Sequence, residues 1–244
     1  MLQACLNGAR SRRDHPKIPL TPEELAEDAA RVVAAGAAEL HVHPRNAEGS
    51  ETLDPDDTAR ALEAIRTKAP GVPVGLTTRE GIRTDAGRGF EQMKAWRVLP
   101  DYVSVNLAET DAPAIMALMR EKGIGIEAGL ATVADARRFA ALPAAEACLR
   151  ILIEIDFEED AAKAAGLADD ILRVLADDTV ALPLLLHGFD SSVWPLYRKS
   201  LELGIDARLG FEDGLRLPDG RVAADNRAII LAARGLGPSP AKSR

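Results

Sequence analysis

The feature that most constrains the fold is the alternation of short apolar runs with longer helical segments along the whole chain. Each run has the length of a strand, and several are rich in valine and isoleucine, which favour strands. Eight runs, each followed by a segment of helical periodicity, predict an α/β fold with a single (β/α)8 TIM barrel. A doubly wound sheet is the alternative, but no glycine-rich phosphate loop follows the first run. The predicted strands lie within residues 2–8, 39–45, 72–78, 101–107, 123–130, 149–156, 181–188 and 206–213.

The clearest helix signal begins at Thr21, in TPEELAEDAARVVAAG. Thr21 is a typical N-cap, Pro22 suits the first turn, acidic residues follow, and Gly36 is a typical stop. No linker divides the chain, so residues 1–236 are predicted to form one TIM-barrel catalytic domain. The final segment GPSPAKSR (237–244) is predicted to be a flexible tail.

Composition argues against several classes of protein. The formal net charge of −8 disfavours a nucleic-acid partner, which would require a basic face. No apolar run approaches the roughly 18 residues that span a bilayer, so no membrane association is expected. The N-terminus lacks the apolar core of a secretory signal, and the two cysteines do not form a disulfide framework. We therefore expect a cytoplasmic protein.

Two of the four histidines, His41 and His43, lie two positions apart in the second run, ELHVHPRN. Side chains alternate along a strand, so both imidazoles point to the same side, and an inward orientation brings them to the barrel mouth. RLGFED, at the end of the eighth run, supplies Glu212. A His/His/Glu set suits Zn²⁺ with a fourth position open. Burial of both histidines against hydrogen-bonding neighbours is the alternative.

The eighth run also carries Arg208 and Asp213 beside Glu212. Next to a metal, this pair predicts a base whose pKa is tuned by a fixed cation. A structural ion pair at the barrel rim is the alternative.

Polar residues also lie near the ends of the other predicted strands, whereas a purely structural barrel interior is mostly Val, Ile and Leu. This pattern predicts a polar cavity, although a hydrogen bond to a loop backbone is the alternative for any one of these residues. The candidates for substrate binding are Thr77, Thr78, Ser104, Asn106 and Glu127, with Asn7, Glu154 and His187 as further polar positions.

The motifs LHVHPR on the second strand and RLGFED on the eighth, with the following LPDGRVAADN, resemble the β-keto acid cleavage enzymes. These are TIM-barrel proteins named after the 3-keto-5-aminohexanoate cleavage enzyme of lysine fermentation. The opening NGAR…IPLTPEELAEDAARVVAAGAAELHVH is also similar to that family. The resemblance extends over the first fifty residues and the last forty, and over the middle by strand order.

The resemblance implies that His41, His43 and Glu212 hold Zn²⁺, and that Asp213 is the general base with Arg208 as its partner. It implies a retro-Claisen transfer, in which a β-keto acid and acetyl-CoA give acetoacetate and a new CoA thioester without a redox cofactor. It also implies a homo-oligomer, with a tetramer as one such symmetric assembly. The implied hydroxyl and amide contacts to substrate come from Thr77, Ser104 and Asn106.

The loop after the first strand, NGARSRRD, is predicted to lie at the barrel mouth, where such loops determine specificity. Arg10 is then the side chain expected to touch the variable end of the keto acid. A cation there predicts a preference for neutral or anionic β-keto acids over amino-substituted ones. The alternative is that Arg10 points to solvent with Arg12 and Arg13.

Two other functions are consistent with parts of the sequence. A zinc-dependent TIM-barrel hydrolase would use metal-activated water, but amidohydrolase-type barrels place the His-x-His pair on the first strand and need further histidines. Only His15 and His187 remain here. A catalytically inactive barrel that serves as a scaffold is the other alternative, and the retained Arg208 and Asp213 argue against it.

Overall fold

The computed structural model of the protein describes residues 1–82, 86–143, 145–155, 158 and 160–236. Eight parallel strands pair in chain order and close into a barrel, so the predicted TIM barrel is confirmed. The predicted tail at 237–244 lies outside the described residues. The strands are β1 (Leu2–Cys5), β2 (Glu39–Val42), β3 (Val74–Thr77), β4 (Tyr102–Asn106), β5 (Gly125–Leu130), β6 (Arg150–Ile155), β7 (Leu184–Gly188) and β8 (Asp206–Leu209).

A helix follows each strand and packs on the outside of the barrel. The helices are α1 (Pro22–Ala34), α2 (Pro55–Lys68), α3 (Ala86–Lys94), α4 (Ala112–Glu121), α5 (Val133–Ala140), α6 (Ala161–Asp177), α7 (Val193–Leu203) and α8 (Asn226–Leu236). None of the helices in the described ranges is long and apolar enough to cross a membrane.

Helix α1 shows how local sequence defines an element boundary. The Thr21 side chain accepts a hydrogen bond from Glu24 N, and the Glu24 carboxylate accepts one from Thr21 N, which completes a capping box. Its buried face carries Leu25, Ala29 and Val32, spaced by three or four residues as a helix requires. Gly36, with a φ of +110°, follows the C-cap residue Ala35, so the predicted cap and stop signals of this helix are both confirmed.

Side-chain alternation divides each strand into an outer and an inner set. On β2, Leu40 and Val42 are fully buried in the hydrophobic core shared with the helices. His41 has the opposite parity and points into the barrel, where it is paired in register with Cys5 and Gly75 of the neighbouring strands. The inner set is unusually polar, so the barrel interior contains ionisable groups at both ends.

Candidate metal centre and substrate cavity

A small polar cavity opens at the carboxyl end of the barrel, the end at which TIM-barrel active sites are built. Its volume is about 120 Å³, smaller than the roughly 300–1,000 Å³ of pockets for drug-sized ligands. Larger clefts lie elsewhere on the surface, but this cavity collects the candidate chemistry. Its walls are His41, His43, Thr77, Arg79, Ser104, Asn106, Glu154, His187, Phe189, Arg208, Glu212 and Asp213.

Three ligand atoms converge on one side of this cavity. His41 Nε2 lies 3.3 Å from His43 Nε2, which lies 3.3 Å from Glu212 Oε1. Glu212 Oε2 is 3.8 Å from His41 Nε2. Tetrahedral Zn²⁺ with bonds of about 2.0–2.1 Å spaces its ligand atoms about 3.3 Å apart. This His/His/Glu group therefore could hold a metal ion.

The residues that contact these ligands are also suited to a metal site. His43 Nδ1 lies 2.5 Å from Glu51 Oε1, so Glu51 fixes the imidazole with Nε2 toward the other ligands. Glu212 is backed by Gly8, whose φ is +54° and whose added Cβ would lie 2.4 Å from Glu212 Cγ. Glu212 Oε2 is buried without a hydrogen bond to any residue in the described ranges. Such an oxygen fits coordination by a cation.

The electrostatics keep two of these donors, Glu212 and His41, in the states that a metal needs. Burial raises the pKa of Glu212, but Arg208 and the two imidazoles outweigh it and hold this pKa well below its usual range. Burial lowers the pKa of His41 well below its usual value. Glu212 is therefore ionised and His41 neutral at physiological pH, as ligation requires. Burial lowers the pKa of His43, but Glu212 and Glu51 outweigh it and raise this pKa, so a metal ion there would displace a proton.

Asp213 occupies the centre of a second group beside the ligands. It is fully buried, and its Oδ1 lies 3.1 Å from Arg208 Nη2 and 3.2 Å from His187 Nδ1. Its Oδ2 makes no hydrogen bond to a described residue. Asp213 thus has one anchored oxygen and one oxygen left for another partner.

His187 is held by carboxylates on two sides. Burial and the Arg208 guanidinium lower its pKa, but Asp213 and Glu154 outweigh them and raise it to about 9. His187 therefore carries a proton at neutral pH. The positive charges of His187 and Arg208 both face Asp213, and they offset the cost of burying its carboxylate.

One buried amide fixes the segment that carries Glu212 and Asp213. The Asn226 Oδ1 atom accepts a hydrogen bond from Phe211 N at 2.6 Å, and Nδ2 donates to Leu6 O at 2.8 Å. Nδ2 also donates to Asp28 Oδ2 at 2.7 Å. Asn226 therefore links the end of β1, helix α1 and Phe211, the residue immediately before Glu212.

The predicted substrate contacts divide into two sets. Thr77, Ser104 and Asn106 line the cavity, whereas Thr78 and Glu127 are not among the described residues that do so. Thr78 follows Thr77 and points to the other side of the strand, where its hydroxyl donates to Ser104 O at 2.7 Å. Its expected substrate contact is replaced by a backbone hydrogen bond.

Glu127 lies toward the amino end of the barrel instead of the cavity. Its Oε1 accepts a hydrogen bond from Gln3 Nε2 at 2.7 Å and pairs with Arg150 Nε at 2.8 Å. Its position early in β5 (Gly125–Leu130) explains this, because inward residues near the start of a strand face the closed end of the barrel. The alternation of side chains along a strand predicts which residues point inward, but not which end of the barrel they face.

Arg10 lies behind the cavity wall and is not among the described lining residues. Its Nε donates to Glu212 O at 3.1 Å, and its Nη2 pairs with Asp190 Oδ1 at 2.6 Å. The guanidinium also stacks on Phe189, 4.7 Å from the ring centroid, and Phe189 lines the cavity. The arginine thus braces the rim, and the expected direct contact with substrate is replaced by these interactions.

His15, one of the two further histidines that a zinc hydrolase could use, does not join the ligand group. The His15 ring packs against Phe211 with centroids 4.4 Å apart, and its Nδ1 accepts from Lys17 N. Sequence reasoning missed Glu51 and Asn226, which contact the ligand His43 and the ligand-bearing segment. An acidic residue after HVHPRN and the AADN motif are the signals that would have indicated them.

Comparisons with known proteins find two similar enzymes. The chain is 28% identical over 260 residues to the 3-oxoadipate:acetyl-CoA acetyltransferase of Cupriavidus necator, covering 97% of this chain and 87% of that protein. It is 35% identical over 79 residues to the 3-keto-5-aminohexanoate cleavage enzyme of Fusobacterium nucleatum, covering 32% of this chain and 29% of that protein.

Among solved structures, apo ObcA has the same fold, with a TM-score of 0.71 at 19% identity over 90% of this chain. This chain spans 61% of the ObcA chain. The model of the β-keto acid cleavage enzyme family matches residues 1–239. With a match of that extent, the protein belongs to the β-keto acid cleavage enzyme family.

Proposed function

We propose that this protein is a zinc-dependent β-keto acid cleavage enzyme, which transfers the acyl part of a 3-keto acid to CoA from acetyl-CoA and releases acetoacetate. The observation that carries the proposal is that the His41, His43 and Glu212 donors share one cavity with Asp213 and Arg208. The similarity to a relative named 3-oxoadipate:acetyl-CoA acetyltransferase supports the choice of acetyl-CoA.

The reaction balances without an oxidant or a reductant. The bond between C2 and C3 of the keto acid and the C–S bond of acetyl-CoA break, and the fragment with C1 and C2 joins the released acetyl group as acetoacetate. The acyl group that begins at C3 joins the CoA sulfur. One proton leaves C2 during the exchange, and one proton returns to that carbon in acetoacetate. The chain therefore has to supply a base that holds a proton and a site that excludes water.

Asp213 suits the role of that base. Its Oδ2 has no hydrogen bond within the part of the chain that the structure describes, so it is the oxygen that can take the C2 proton. Oδ1 is anchored by Arg208 and His187, which orients the carboxylate. The cation at Arg208 lines the same cavity, and a fixed charge there would stabilise negative charge that develops on a substrate oxygen in the transition state.

A metal held by His41, His43 and Glu212 supplies a Lewis acid for the ketone oxygen when it is bound. The neutral wall of the cavity, formed by Thr77, Ser104 and Asn106, offers hydrogen bonds to the rest of the acid. The small volume of the cavity favours a short acid and leaves room for no more of acetyl-CoA than its acetyl end. The remainder of the CoA molecule must then lie outside it.

The test is metal analysis followed by an acetyl-CoA-dependent assay with a panel of β-keto acids. We expect zinc in the purified protein, and equal amounts of acetoacetate and a new CoA thioester. His41→Ala and His43→Ala should each lower the zinc content, because three protein ligands are typical of a catalytic site. Absence of a divalent metal contradicts the proposal, and hydrolysis without a CoA product favours the zinc-hydrolase alternative.

A further inference from the structure

Arg79 is a cavity residue that the proposed mechanism does not use. It follows β3 and its side chain is 35% exposed, with the guanidinium in the wall that also contains Thr77. Its Nε donates to Glu51 Oε1 at 3.2 Å, and its Nη2 pairs with Glu51 Oε2. Because Glu51 also contacts His43 Nδ1, a single carboxylate anchors Arg79 to the candidate metal centre.

The anchored guanidinium keeps unused donors. A guanidinium has five N–H groups, and the two contacts with Glu51 leave the Nη1 donors without a partner in the described residues. Space for Nη1 depends on Gly81, since a Cβ at that position would lie 2.6 Å from it. The wall beside Arg79 carries the neutral Ser104 and Asn106. A fixed fork with free donors is suited to bidentate binding of a carboxylate.

The wall across the barrel from Arg79, at the ends of β6 and β7, is less suited to the same group. It carries the Glu154 carboxylate, the ring of Phe189 and His187, whose imidazole is already flanked by Glu154 and Asp213. Gly129 leaves room for Glu154 there, because a Cβ on Gly129 would lie 2.3 Å from Glu154 Oε1. Glu154 would repel an anionic chain terminus on this side, whereas the free donors of Arg79 would bind it.

We propose that Arg79 binds a second carboxylate at the end of the keto acid remote from the reacting carbons, so that short 3-oxo dicarboxylic acids are the preferred substrates. The assignment rests on the proposed function, in which the metal ligands serve the ketone oxygen and Asp213 takes the C2 proton. The sequence predicted that Arg10 would contact the anionic end of the substrate, and the structure instead favours Arg79 for that contact.

The test compares 3-oxoadipate with 3-oxohexanoate, which has the same chain length and lacks the second carboxylate. We expect wild type to favour 3-oxoadipate in kcat/KM by about 10- to 100-fold, as a charge-assisted contact allows. Arg79→Gln should abolish most of this preference, mainly by raising the KM for 3-oxoadipate more than that for 3-oxohexanoate. Arg79→Lys should restore part of it, since a point charge replaces a fork. Equal selectivity in wild type and Arg79→Gln would overturn the assignment.

A binding measurement separates this inference from the proposed function. Calorimetric titration with the inert 3-hydroxyadipate and 3-hydroxyhexanoate should show the same selectivity and its loss in Arg79→Gln, with zinc content unchanged. Arg173→Gln removes an exposed arginine that pairs with Asp170 on α6 and serves as the matched control. If neither keto acid is cleaved, the proposed function fails while the titration still decides the role of Arg79. Equal binding of the two hydroxy acids by wild type would contradict the inference.

Discussion

The two ends of the barrel interior contain clusters of similar composition, each built around one buried arginine. The amino-end cluster has Arg150 among three carboxylates, and the carboxyl-end cluster has Arg208 beside two. The members of the amino-end cluster are Gln3, Glu39, Tyr102, Glu127, Arg150 and Asp206. The members of the carboxyl-end cluster are His41, His43, His187, Arg208, Glu212 and Asp213.

The difference lies in what the carboxylates face. At the amino end, Glu39, Glu127 and Asp206 close around Arg150 and none of them is among the described cavity-lining residues. At the carboxyl end, Glu212 and Asp213 each keep an unpartnered oxygen and line the cavity. Glu127 Oε2 is also unpartnered in the described chain. An unpartnered carboxylate therefore indicates a functional site only when it also faces a cavity.

The largest expected difference between the two ends is in kcat, when one carboxylate at each end is replaced by a neutral amide. Asp213→Asn should retain zinc and fold but lose about 10²- to 10⁴-fold in kcat, as expected for a general base. Glu127→Gln should leave kcat within about threefold of wild type, because it touches neither the ligands nor the cavity. Steady-state kinetics and metal analysis of both variants test this. Similar losses in the two variants would remove the functional distinction between the clusters.

The sequence predicted the barrel and the carboxyl-end cluster because their signals are local. His41 and His43 lie two positions apart at the end of β2, and Arg208, Glu212 and Asp213 share one short motif. The amino-end cluster combines residues from β1, β2, β4, β5, β6 and β8, and only the strand register shows which inward residues share a level. For the same reason Glu127 was assigned to the substrate, and Glu51 was missed because its loop folds back onto His43.

A smaller effect is expected from the second shell of the carboxyl-end cluster. Glu51→Gln removes the carboxylate that orients His43 and holds Arg79, which should weaken zinc binding by about 10- to 100-fold. Glu39→Gln removes a carboxylate with a comparable arginine contact in the amino-end cluster and should leave zinc affinity unchanged. Competition with a chelator measures both affinities. Unaltered affinity in Glu51→Gln would show that the ligands are held without this carboxylate.

The smallest effect concerns the pH dependence of stability, which is expected to have opposite signs at the two ends. Burial raises the pKa of Glu127, although Arg150 acts to lower it. Burial also acts to raise the pKa of Glu51, but His43 and Arg79 outweigh it and bring this pKa to about 2. The protonated form is thus favoured by folding at Glu127, and the ionised form is favoured by folding at Glu51.

The sign of each contribution follows from these directions. The stabilisation from Glu127 is complete below its unfolded pKa of about 4.3 and is lost as the pH rises through the higher folded value. That from Glu51 is present at neutral pH and is lost as the pH falls toward 2. Relative to wild type, Glu127→Gln should therefore gain in Tm as the pH rises, and Glu51→Gln should be most destabilised near neutral pH.

Tm measured across this range on metal-free protein tests the slopes, which do not depend on any constant offset that the substitutions introduce. A difference between Glu127→Gln and wild type that does not change with pH would mean that this buried carboxyl has the same pKa in the folded and unfolded chain, because Arg150 then compensates its burial fully.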